Sequence, residues 1–254
     1  AELRDCQLRW NRAVYGGAIY YERLAPLVDQ CRFESNEAEI GGAIYARLSS
    51  PSMSDTVFDF NTAVHGGAIM FDGGSPSLTA CHLTANRALF GGGIAATDRA
   101  SLDITACHFE SNEAFSDTDV EGGAIRIEQS ALTVTESVFL DNTAFAPPQT
   151  NAFGSGAAIY AAEGSVSIAG SEFREGVAEG GGGVTCIDCD VLVDASLFVS
   201  NSASFRGGAF AASGGSLSMT ASTFSQNHAD DWAGAVSILG ATAVEVSGCS
   251  FTSN

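Results

Sequence analysis

Residues 31–44 read CRFESNEAEIGGAI, and the same frame returns from end to end of the 254-residue chain. An Asn recurs at Asn11, Asn36, Asn61, Asn86, Asn112, Asn142, Asn201, Asn227 and Asn254, with Gly176 in the one gap and most spacings near 25 residues. An aromatic residue or Leu stands three residues before it, an Ala two residues after it, and a Gly-Gly-Ala-Ile-like block follows. Ten copies of one unit at this period define a solenoid, in which equivalent residues of successive turns lie above one another.

Each column of the frame therefore reports one environment. Leu8, Phe33, Phe58, Leu83, Phe109, Phe139, Phe173, Phe198, Phe224 and Phe251 form an unbroken apolar ladder that must face the core. Two residues earlier stand Cys6, Cys31, Thr56, Cys81, Cys107, Ser137, Ser171, Ser196, Ser222 and Cys249, small residues on the same face at period two, which fit a narrow interior corner. Pairs such as Leu102 with Ile104 and Val166 with Ile168 alternate with polar residues upstream, and Ile19, Ile44, Ile69 and their equivalents close the Gly-rich block downstream. Three short strands per turn follow.

A leucine-rich repeat is the rival, since ACHFESN (106–112) has its apolar and Asn spacing. That fold commonly uses a helix on its convex side, where a glycine pair such as Gly41 and Gly42 costs about 2 kcal/mol. The β-branched and aromatic columns instead predict an all-β, right-handed, single-stranded parallel β-helix of about ten turns, one domain over residues 1–254. Ten turns give a rod of about 50 Å. Both ends are in frame and uncapped, so the segment is expected to belong to a longer chain or to meet other copies end to end. The Gly176 replacement predicts that the Asn column marks a left-handed corner, and stacked amides in that column predict a hydrogen-bonded ladder.

The chain carries 30 acidic residues against 11 Arg and no Lys, a net charge of −19, which argues against nucleic acid and anionic membrane surfaces as partners. No apolar run reaches the ~20 residues that span a bilayer as a helix, so no membrane insertion by this segment is expected. Five of the seven Cys share the small inward column, which makes them core filler; Cys186 and Cys189 (CIDC) are the pair best placed for a local disulfide.

FESN at 33–36 and 109–112, with FLDN, FVSN, FSQN and FTSN, alternates with GGAI at Gly16, Gly41, Gly66 and Gly122. Over the whole chain these motifs resemble the paired FxxN and GGA[ILV] repeats of the chlamydial polymorphic membrane proteins. LRWN, LTAN, FREG and SGAAI depart from the pattern without disturbing the fold expectation. The resemblance implies an autotransporter passenger and adhesin, extracellular or held at the outer membrane through sequence outside this segment. The chain itself shows no β-barrel segment.

Loops on a rigid scaffold are the usual place for binding. The connection between the Asn and the Gly block normally holds four residues, yet it lengthens to residues 113–121 and 143–155 in two successive turns. The first excursion offers Phe115, Asp117, Asp119 and Glu121; the second offers Phe145, Pro147, Pro148, Gln149 and Phe153; Asp230, Asp231 and Trp232 occupy the equivalent connection of a later turn. Aromatic residues beside acids suit partner recognition, and Asp117, Asp119 and Glu121 are candidate calcium ligands. Other candidates are poorer: His82 and His108 share an outward column near Glu110, and no Gly-His-Gly or Arg-x-Lys motif of β-helical polygalacturonases is present. The expected function is a non-enzymatic rod displaying loops for adhesion to a protein or glycan on a cell surface. A filament or matrix subunit and a carbohydrate-active enzyme are the alternatives.

Overall fold

A computed structural model describes residues 1–147 and 152–254. Each turn contributes one strand to each of three long parallel sheets. The first runs through ten strands from Glu2–Arg4 to Ala243–Ser247, the second through ten from Gln7–Arg9 to Ser250–Thr252, and the third through nine from Ile19–Glu22 to Val236–Leu239. Register is direct: Phe33 pairs with Phe58, Leu102 with Leu132, and Ile44 with Ile69. The chain is thus the expected parallel β-helix of about ten turns. A fourth, shorter sheet, including Glu113–Phe115 and Val177–Gly180, lies on the connection between the Asn and the Gly pair.

Alternation makes the strands two-faced. In Ser101–Thr105 only Leu102 and Ile104 are buried, and the same pattern recurs in Ala131–Thr135 and Asp190–Asp194. The aromatic column stacks along the axis, with ring centroids 4.7 Å apart from Phe109 to Phe139 and from Phe139 to Phe173, all nearly parallel. Each fully buried Phe contributes about 2–3 kcal/mol of apolar burial. Because the stack repeats at the spacing of the backbone ladder, side chains and main chain reinforce one register.

The corners correct one expectation. The left-handed residue lies before the Asn, as in Ser35 (φ 54°), Ser111 (φ 52°) and Ser200 (φ 56°), and neither the Asn residues nor Gly176 has a positive φ. The preceding residue turns the chain, which leaves the Asn free to point its amide inward. The amides do form the expected ladder: Asn36 Nδ2 donates to Asn61 Oδ1 (2.9 Å) and to Leu8 O (2.9 Å), while Asn36 N donates to the same Asn61 Oδ1 (3.0 Å).

The small column uses the same device in miniature. A left-handed residue precedes it, as in Glu136 (φ 50°), and the Ser137 hydroxyl then donates to Thr135 O (2.9 Å) while accepting from Cys107 N one turn earlier (3.0 Å). A third corner repeats this through Ser49 and Ser130. What reads in sequence as small filler is therefore a second hydrogen-bonded ladder. Ser137→Ala should cost about 2 kcal/mol, since it strands the buried Cys107 N–H; urea unfolding checks this, with Ser137→Thr expected to retain most of the lost stability.

Candidate functional site

Most turns carry a four-residue connection before the Gly pair, and the two long excursions depart from that edge together. They open in register, with Phe115 opposite Phe145, and close in register, with Val120–Glu121 against Gly154–Ser155. Between these points Asp119 Oδ1 accepts from Phe153 N (2.8 Å) and Val120 N donates to Phe153 O (3.1 Å). Glu179, from the next turn, accepts from Gly154 N (2.7 Å) and Ala146 N (3.3 Å). Burial pushes its carboxyl above the ordinary range, against the opposing pull of these backbone N–H groups. Glu179→Ala should therefore speed amide exchange at Ala146 and Gly154 about tenfold or more, the effect of losing a charge-assisted hydrogen bond; hydrogen exchange resolved to single amides measures it.

The candidate residues divide by role. Phe115 lies under the Arg87 guanidinium at 4.6 Å. Glu121 is engaged by Arg126 Nε at 2.7 Å, and Arg126 also reaches Glu128 at 3.0 Å. Burial acts to lower the Arg126 pKa, but the hydrogen bond and charge of Glu121, with those of Glu128, outweigh it and hold the value raised. Asp117 is exposed and Asp119 is committed to Phe153. Among the described residues no three His, Cys, Asp or Glu side chains are gathered as a metal site, so the structure does not bring Asp117, Asp119 and Glu121 together as calcium ligands. Pro147 is partly buried, while Pro148 and Gln149 lie outside the described residues.

Phe153, Phe205 and Trp232 form a continuous run along the edge. Phe145, Phe153 and Trp232 are 39%, 36% and 50% exposed. Phe153 meets Phe205 edge-on at 6.0 Å, and Phe205 stacks on Trp232 at 5.9 Å, with the Arg206 guanidinium 5.7 Å over Phe205. Phe205 escapes the sequence reading because its connection is only one residue longer than the usual four. It is the residue that joins Trp232 to the excursions.

Elsewhere the His82 and His108 rings lie 5.8 Å apart, with His108 Nε2 3.3 Å from Glu110. His228 Nε2 lies 3.0 Å from Asp230. Cys186 and Cys189 are both buried free thiols; the hydrogen bond from Cys186 lowers Cys189 to about 7 against the effect of burial.

These columns and their parallel register define a β-solenoid with a decorated edge. The model of the right handed beta helix region family matches residues 1–173, more than half of the chain, and the chain belongs to that family. No curated protein matches it, and no solved structure does.

Proposed function

We propose that this chain is a non-catalytic adhesive rod, secreted or displayed at a cell surface, whose paired excursions and aromatic edge bind a partner on another cell. The observation that carries this reading is the register between the two excursions, which holds Phe145 and Phe153 at one edge while Phe205 joins Phe153 to Trp232. Asp119, Ala146, Phe153 and Gly154 are held by hydrogen bonds between the excursions and to Glu179, and groups held in this way on a stiff scaffold lose little conformational entropy on binding. Large exposed aromatics flanked by Arg206 are the residue types that dominate interface energies. The likeness of the FxxN and GGA[ILV] motifs to those of the chlamydial polymorphic membrane proteins supports the same assignment and a passenger-like mode of display.

Replacing both excursions with four-residue connections of the Glu37-to-Ile40 type tests the edge. Flow cytometry of the fluorescently labelled chain on cultured epithelial cells is expected to show saturable binding that falls at least tenfold on trimming. Undiminished binding by the trimmed, folded chain rejects the assignment.

A further inference from the structure

Four His occur in the chain, and two of them meet. His82 and His108 lie on the fourth and fifth strands of the second ten-stranded sheet, well inside the rod, and pair directly in its parallel register. Both project outward, since the residues that follow them, Leu83 and Phe109, are buried in the core. The other two His are placed differently. His65 stacks on Phe90 at 5.0 Å, and His228 lies opposite Ser202 and pairs with Asp230.

The outward face around the pair is a small square. His82 and Thr84 stand on one strand, His108 and Glu110 on the next, with Thr84 opposite Glu110. Val57 and Val138 flank the two His in their column, and Leu140 lies beside Glu110. The nearest further carboxylate, Asp59, is opposite Thr84 but is held by Arg32 at 2.6 Å. The square therefore offers two imidazoles and one carboxylate, bordered by apolar side chains.

Their separations match one small ion. His108 Nε2 and Glu110 Oε2 lie 3.3 Å apart. Two ligand atoms at that distance, each about 2.1 Å from a common zinc, subtend about 104° there, close to the tetrahedral angle. Two imidazoles on one tetrahedral zinc hold their ring centres about 5 Å apart; those of His82 and His108 are 5.8 Å apart. The three groups are not closed around one point in the structure, and a shift of less than about 1 Å by the exposed His82 ring closes them. A mixed nitrogen and oxygen set with two imidazoles suits zinc and its neighbours, whereas calcium and magnesium take oxygen ligands. We infer that His82, His108 and Glu110 bind one zinc ion, with water in the outward position, and that the ion ties the fourth turn to the fifth. The site does not depend on the excursion edge.

The test titrates zinc into the full chain, reduced and in millimolar magnesium, by calorimetry and by thermal melting. One ion per chain should bind saturably and raise the melting temperature, because it binds the folded pair of turns. His82→Ala, His108→Ala and Glu110→Gln should each weaken binding, the two His variants at least tenfold, while their zinc-free melting temperatures stay near that of the parent. His228→Ala should leave the affinity unchanged. In nitrogen-15 spectra the ring signals of His82 and His108 should move together on zinc addition and those of His65 should not. Failure to bind one ion per chain, affinity unchanged in any of the first three variants, or an equal loss in His228→Ala would each overturn the assignment.

Discussion

Gly67→Ala is expected to destabilise the rod by about 3 kcal/mol, the upper end of the overpacking range. A Cβ on Gly67 would lie 2.0 Å from Gly92 O and 2.7 Å from Arg87 O. Both are backbone atoms of the next turn, held at the ladder spacing, and no side chain can swing aside. One place in the column shows what relief requires. Ala157 stands where neighbouring turns have Gly123 and Gly182, and the turn stacked on it is the one that has Gly176 in place of Asn. A Cβ on Gly176 would lie 3.2 Å from Ala157 Cβ and 2.2 Å from Gly182 O, so the two departures are one compensated change. Gly67 faces a turn that keeps Asn86 and has no such room. The loss is read by urea unfolding, and hydrogen exchange should place it in the adjoining turns, because solenoid turns couple mainly to their neighbours.

Asn61→Ala should cost a similar amount, about 3–4 kcal/mol. Its buried amide accepts from Asn36 N (3.0 Å) and Asn36 Nδ2 (2.9 Å), and donates to Phe33 O (3.0 Å) and Asn86 Oδ1 (2.9 Å). Truncation removes all four bonds from a site with no access to water, at about 1–3 kcal/mol for each group left without a partner. Asn61→Asp keeps the acceptor for Asn36 but places a charge beside Phe33 O, and is expected to be at least as harmful at neutral pH. The Gly176 gap supplies the matched control. Gly176→Asn alone should destabilise because of Gly182 O and Ala157, and the loss should be smaller in the Ala157→Gly background, which removes the Ala157 contact and leaves only the one to Gly182 O. Additive effects in this pair would contradict the compensation argument.

The repeat made much of this legible in advance. Nine or ten samples of each position average out local noise, so the Phe column, the Ile column and the Asn ladder stand in the sequence at their structural positions. The left-handed residue before the Asn does not, because Trp10, Ser35 and Glu175 share no chemistry; the conformation is imposed by the corner and not by the side chain. The hydroxyl ladder is hidden for the opposite reason. Cys107 and Ser137 look alike as small residues, and only geometry shows the Ser137 Oγ accepting from Cys107 N. At the candidate edge the long excursions stand out by length alone. Phe205 does not, and neither does Glu179, whose half-buried carboxylate secures the second excursion from a turn that looks ordinary.

The proposed adhesive edge is tested most directly by removing its aromatic faces while leaving the backbone of both excursions in place. Binding of the labelled chain to cultured epithelial cells is compared with that of the triple variant Phe153→Ala, Phe205→Ala, Trp232→Ala, each first shown to melt at a similar temperature. Saturable binding that drops at least tenfold in the triple variant is the predicted result. Equal binding by the two chains, or none by the parent, would contradict it.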